Sequence, residues 1–184
     1  MNGEKVLVIG SGIGGLAVAL FLKRSGFDVA IYEAQPAPDD TGGYFLNIAS
    51  NGLQVLKTLG LERAVAAEGF PIPRMIMWSG SGKRLGEVRN GVAPGQGEVS
   101  IVIKRGSLHC LLREETQRQH IPIVWGKQLT AMDVMPGDHL IAPFADGTRA
   151  EADCSAGPDG LPSRVRPTIH PGAVVSGNCR IGSG

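Results

Sequence analysis

At 184 residues, with 42% apolar and 19% charged side chains, the chain has the length and composition of a single soluble globular domain. A formal charge of +1, with no run of five basic residues, argues against nucleic-acid binding and against a polybasic membrane contact. Three cysteines, an odd number without a CxxC pair, fit a reducing, cytoplasmic setting.

The first predicted element is the apolar, β-branched strand at residues 5–9, of the kind found inside a parallel sheet. The turn GSGIGG follows, then a helix over residues 16–25 closed by Gly26. A second buried strand, DVAIY, runs over residues 28–32 and ends at Glu33. Strand, turn, helix and strand in about 30 residues make one βαβ unit. An export signal would need a basic start, an unbroken apolar run and a small-residue cleavage site. Here the start is NGEK, four glycines interrupt the run, and Lys23-Arg24 follows it. The run is also too short to span a bilayer, so neither export nor membrane insertion is expected.

Residues 34–47 are rich in Pro and Gly and lack helical periodicity. Ser50 is placed to cap a helix over 51–59, and a second short helix is predicted over 62–68. Extended segments at 75–78 and 84–88 flank the turn SGSGK. A strand over 100–104 leads into a helix over 106–119, with Leu108, Leu111, Leu112 and Glu115 at helical spacing. A strand at 121–125 precedes a three-stranded meander over 129–152, turned by MPGD and ADGT. Trp78 and Trp125 lie in strand-like runs and read as core or interface residues. Cys110 and Cys154 read as small buried residues. His109, His120, His139 and His170 lack metal-ligand spacing and read as surface or structural residues.

The chemistry is concentrated at the first turn. Gly10 permits a sharp bend, Gly12 lets a pyrophosphate approach the backbone, and Gly15 lets helix and strand pack closely. The helix start offers N–H groups and partial positive charge to phosphates. Glu33 stands where a carboxylate can accept bonds from ribose hydroxyls. Later come Arg105 at the start of a helix, in the context RGSL, and Asp159-Gly160 followed by Ser163 and Arg166.

With these residues in this order, the sequence resembles the para-hydroxybenzoate-hydroxylase-like, FAD-dependent monooxygenases. That family carries an N-terminal GxGxxG, an acid ending the second strand, an Arg in an RxxL context and a loop of the form ADGxxSxxR. The match in order and spacing extends over residues 4–166. The resemblance implies that Gly10, Gly12 and Gly15 hold the FAD pyrophosphate, with Ile13 and Gly14 of the same turn in the cofactor-binding set. It assigns the adenosine ribose to Glu33, with Ala34 beside it, and a flavin contact to Arg105. Gly42-Gly43 corresponds to the glycine-rich segment passing near the flavin, so Gly43 joins the set. Asp159 and Gly160 correspond to a loop implicated in pyrophosphate contacts and in NAD(P)H use.

The fold so implied is α/β, a Rossmann-like three-layer FAD/NAD(P)-binding fold with an antiparallel meander, incomplete relative to the family. Residues 1–168 are expected to form the FAD-binding domain and 169–184 the start of a following segment or a tail. The implied activity is NAD(P)H- and O2-dependent hydroxylation of a small organic substrate, foremost an aromatic one, with FAD as cofactor and NAD(P)H as reductant. No catalytic side chain and no metal site is assigned, and the oligomeric state is left open. A related FAD-dependent reductase or epoxidase shares the same motifs; a truncated, non-catalytic nucleotide-binding remnant is the rival from another class. Pro158 replaces the usual alanine before the DG pair, and the family's later Gly-Asp segment has no counterpart, which suggests an N-terminal portion. Ile169, Val175 and Ile181 lie six residues apart, but too few repeats are present for a left-handed β-helix.

Overall fold

The computed structural model describes residues 3–40, 42–90, 99–136, 139–157 and 165. In chain order they form β1 (Lys5–Ile9), α1 (Ile13–Arg24), β2 (Asp28–Tyr32), β3 (Phe45–Ile48), α2 (Ser50–Thr58), α3 (Glu62–Glu68) and β4 (Phe70–Pro71). There follow β5 (Arg74–Trp78), β6 (Arg84–Arg89), β7 (Ile101–Lys104), α4 (Arg105–Arg118) and β8 (Ile123–Val124). The last are β9 (Asp133–Met135), β10 (His139–Pro143), β11 (Arg149–Ala152) and β12 (Cys154–Ala156). They group into two compact units, one of Met1–Ala37 with Ile121–Gly184 and one of Pro38–His120.

The first unit is built on a parallel sheet in the order β12-β1-β2-β8. Strand β1 is buried on both faces. Leu7 and Ile9 join a cluster with Leu129, Met132, Ala142, Phe144 and Val165, while alternation sends Val6 and Val8 to the other side. Helix α1 packs on β1 and β2 and buries Leu16, Ala19 and Leu20. Burial on two faces is why KVLVI reads as a continuous apolar run rather than an alternating one. The meander β11-β10-β9 supplies the third layer, and Tyr32 stacks on Phe144 at 4.9 Å between ring centres. This is the expected Rossmann-like, three-layer α/β arrangement with an antiparallel meander.

The second unit holds an antiparallel sheet in the order β3-β7-β4, with α2, α3 and α4. Its buried side chains include Leu53, Leu56, Val65, Ile103, Leu108 and Leu112. Strands β5 and β6 form a separate antiparallel pair whose residues are almost all exposed.

Several local expectations change. Helix α1 begins at Ile13 rather than at residue 16, because the end of the glycine turn is itself its first turn; the low helix propensity of Gly14 and Gly15 hid this. Ala49, in extended backbone, is the N-cap of α2, and Ser50 is already helical. Strands β3 and β4 were not anticipated. They are short edge strands defined by pairing with the distant β7, which local patterning does not encode. Trp78 is exposed on β5 and Trp125 is half-buried, so neither is a fully buried core residue. Cys110 is half-buried and Cys154 exposed. His109, by contrast, is buried. Of the MPGD turn, Gly137 and Asp138 lie outside the described residues, as do Cys179, His170 and the whole segment 169–184. Among the described residues no helix is long and apolar enough to cross a membrane.

Candidate functional site

In the first unit the turn between β1 and α1 gathers Gly10, Gly12, Ile13, Gly14 and Gly15 against the end of β2. Gly10 has φ of +101°, which L side chains adopt only with strain, and its N–H donates to Tyr32 O at 2.8 Å. Gly12 is the N-cap of α1, and its carbonyl accepts the Leu16 N–H at 3.0 Å. No side chain caps this helix start, and its first turn carries no acidic residue. A Cβ built on Gly12 would meet nothing within 4 Å. The helix start at Gly12 therefore faces open ground with no acidic side chain of its own first turn, which suits a phosphate group. Gly15 is buried, as close helix–strand packing requires.

Glu33 sits at the end of β2, its backbone held by Val124 O and by the Lys127 N–H. Its carboxylate turns back onto the glycine turn. Oε2 accepts the Ser11 N–H at 2.6 Å and the Ser11 hydroxyl at 3.0 Å, while Oε1 accepts the Gln35 N–H at 2.8 Å. A carboxylate offers about four acceptor directions, so roughly one remains for a ligand hydroxyl. Ser11, 3% exposed, was not singled out from the sequence, where its position in the turn is the variable one between two glycines. Ala34 is exposed next to Glu33.

In the second unit the structure brings Gly43 and Arg105 together. Arg105 opens α4, its N–H donates to Tyr44 O at 3.0 Å, and the adjoining Lys104 pairs with Phe45. Gly43 has φ of +90°, and a Cβ built there would lie 3.0 Å from Arg105 Cδ. The stem of Arg105 thus lies along the Gly43 backbone. Arg105 is exposed, and among the described residues its guanidinium has no ion-pair or hydrogen-bond partner. An uncommitted cation of this kind is free to meet an anionic or electron-rich ligand.

The same helix carries a cluster that sequence reading missed. Asp40 Oδ1 lies 3.3 Å from His109 Nδ1, and Asp40 Oδ2 accepts from Arg113 Nη2 at 2.5 Å. Burial pushes the Asp40 carboxyl up, but the hydrogen bonds and charges of Arg113 and His109 outweigh it and hold the group below its ordinary value. Burial together with Glu114 pushes the nearby Cys110 thiol up, away from the reactive thiolate. The available signal was the spacing Arg105, His109, Arg113, which places three basic residues on one helix face.

Asp159 and Gly160 lie outside the described residues. Just before them, Gly157 packs against the buried Val165, and a Cβ on Gly157 would come within 2.5 Å of Val165 Cβ. Among the described residues no group of three or more His, Cys, Asp or Glu side chains could hold a metal.

Comparison with known proteins bears on this geometry. The family described as FAD binding domain matches residues 4–179. The 6-hydroxynicotinate 3-monooxygenase of Pseudomonas fluorescens is 31% identical over 88% of this chain and 42% of its own length. The structure of 2-methyl-3-hydroxypyridine-5-carboxylic acid oxygenase is similar with a TM-score of 0.78 and 25% identity, over 92% of this chain and 43% of that one. A variant of HpxO from Klebsiella pneumoniae, complexed with FAD, gives a TM-score of 0.75 and 28% identity over 90% of this chain and 42% of that one. The chain spans about two fifths of the length of these relatives.

Proposed function

Because this chain belongs to the FAD binding domain family, we propose that it is the FAD-binding part of a monooxygenase acting on a small organic, aromatic substrate. The observation that carries the reading is the uncapped α1 N-terminus, with open ground over Gly12, beside the Glu33 carboxylate. When bound, FAD would supply the redox chemistry of an NAD(P)H- and O2-dependent hydroxylation, in which one oxygen atom enters the substrate and the other leaves as water.

What the protein contributes is binding and orientation. The N–H groups at Gly12, Ile13, Gly14 and Gly15 receive the diphosphate at the positive end of α1. Glu33 accepts a ribose hydroxyl on its remaining acceptor direction, with Ala34 leaving room beside it. Arg105, its stem seated on Gly43, contacts the flavin end. Asp159 and Gly160 are assigned to the diphosphate and to NAD(P)H use by resemblance, within an FAD-binding domain of residues 1–168. The aromatic substrate class is supported by the name of the Pseudomonas relative, which acts on 6-hydroxynicotinate. The cysteine pattern supports a cytoplasmic setting.

The test is titration of the chain with FAD, read by flavin fluorescence, with ADP as competitor. Saturable binding that weakens about tenfold in Glu33→Ala, ~1.4 kcal/mol, supports the reading. Absence of saturable binding overturns it for this chain. Substrate-dependent O2 uptake with NADH or NADPH then separates a monooxygenase from a flavin reductase.

A further inference from the structure

We propose that Asp40 is a positioning residue that straps the segment carrying Gly43 onto helix α4 and thereby sets the pose in which Arg105 is presented. The consequence for flavin rests on the proposed function; the strap itself does not.

Arg105, His109 and Arg113 follow one another at intervals of four residues and share one face of α4. They are not treated alike. Asp40 takes both inner members, His109 and Arg113, whereas the guanidinium of the outer Arg105 has no partner among the described residues. The division follows burial: the side chains of His109 and Arg113 are 9% and 15% exposed, and Arg105 is open to solvent. A guanidinium this enclosed needs a counter-charge. Arg113 Nε has no hydrogen-bond partner among the described residues, so its binding to the fold runs through Nη2, to Asp40 and to Cys110 Sγ at 3.5 Å.

The segment is fixed at two points along the helix. Asp40 holds it at the second and third turns of α4, and Tyr44 O accepts the Arg105 N–H at the first. Asp39, just before the Asp40 anchor, accepts the Gly42 N–H on Oδ1 at 2.8 Å, and Gly43 lies under the Arg105 stem. Gly43 can lie this close because it carries no side chain: Arg105 Cβ and Cδ occupy the space a Cβ on Gly43 would need. Releasing Asp40 frees the Gly43 backbone to leave the Arg105 stem, and the guanidinium loses its preferred direction. A purely stabilising ion pair would instead affect the fold without any particular effect at Arg105.

The experiment reads Arg105 directly. In the 15N-labelled 184-residue chain, the Arg105 Nε–H resonance is assigned by its loss in Arg105→Lys and compared between wild type, Asp40→Asn, Asp40→Glu and Glu62→Gln. The last removes an exposed ion pair with Lys57 in the same unit and serves as control. Asp40→Asn is expected to shift the Arg105 resonance, to speed amide exchange at Gly42 and Gly43 by about tenfold, and to weaken FAD binding by about five- to tenfold. Asp40→Glu restores the resonance and the affinity toward wild type, and Glu62→Gln changes neither. Should Asp40→Asn fail to fold, Arg113→Lys, which retains the charge but loses the planar fork, reports the same shift in weaker form. An unmoved Arg105 resonance with unchanged exchange at Gly43, in a folded Asp40→Asn chain, overturns the strap. FAD binding absent from the wild type sinks the proposed function and leaves the resonance and exchange readouts to decide the strap.

Discussion

The Gly10–Glu33 region of the first unit and the Asp40–Arg105 region of the second are built from different materials. The first relies on backbone: a helix start, a positive-φ glycine and a carboxylate tied to the turn within 23 residues of sequence. The second relies on side chains brought together from about 70 residues apart, as in the pairing of Asp40 with His109 and Arg113. A backbone site tolerates change in most side chains yet is blocked by any new atom in its open ground. A side-chain site has the opposite sensitivity.

The sharpest way to break that contrast is Gly12→Ala. At φ of −65° alanine is conformationally allowed, and a Cβ there meets nothing, so the fold is expected to keep its stability within about 1 kcal/mol. On the proposed function the same methyl would meet the diphosphate, and FAD affinity is expected to fall about a hundredfold, ~3 kcal/mol. Fluorescence titration and a thermal melt on one sample decide it; a loss of stability that matches the loss of affinity would remove the distinction between the two ends.

In the second unit the corresponding change is Arg113→Met. It keeps most of the buried stem but removes the charge that Asp40 faces. Breaking a fully buried pair costs ~3–5 kcal/mol; with Asp40 35% exposed, solvent screening brings the expectation to about 1–2 kcal/mol. Urea unfolding measures this, and ADP affinity is expected to stay unchanged because ADP carries none of the flavin ring. A fall in ADP affinity equal to that of FAD would show that the two ends act as one.

The same contrast explains what could be read from residues alone. The glycine turn, the double-faced β1, the meander and Glu33 are local patterns, each contained in a short window of sequence, and each stands where patterning puts it. Helix α1 was placed three residues late because glycine spacing for phosphate approach and glycine's poor helix propensity point in opposite directions at Gly14 and Gly15. Strands β3 and β4 escaped because their partner β7 is supplied from far along the chain. His109 was read as surface or structural; its burial against Asp40 depends on a Pro/Gly-rich passage whose path no periodicity describes. Asp159 and Gly160 still rest on resemblance alone.

A smaller effect tests how far Ser11 matters to the backbone site. Ser11→Ala deletes the hydroxyl bond to Glu33 Oε2 but leaves the shorter bond from the Ser11 N–H. The expected loss is about 1 kcal/mol of stability, less than the ~1.5–3 kcal/mol of a lone hydrogen bond to a charged group because Oε2 keeps the Ser11 N–H. Because the deletion frees one acceptor direction on Glu33, FAD affinity is expected to hold or rise slightly. A tenfold fall in affinity would mean that the hydroxyl, not the backbone, aims the carboxylate.

The smallest effects are in the acid range, where carboxylate clamps in the two units titrate. In the first unit Asp146 accepts from Lys127 Nζ at 2.5 Å and from the Thr148 hydroxyl and N–H, which lower it from 3.8 to about 2. In the second, Asp40 is also lowered, against the opposing pull of burial. Both groups are more acidic folded than unfolded, so each contributes stability that is complete above the ordinary value of 3.8 and is lost as pH falls through the folded value. For Asp146→Asn the difference from wild type is expected to be constant well above that pH, to shrink below it and to vanish only below about pH 2. Asp146 is exposed and its partners Lys127 and Thr148 belong to the first unit, so its loss should leave the Arg105 resonance where it was. Asp40→Asn should change stability over the acid limb and move that resonance as well. If the two variants differ only in the size of their acid limbs, the side-chain end of the molecule is a stabilising ion pair and nothing more.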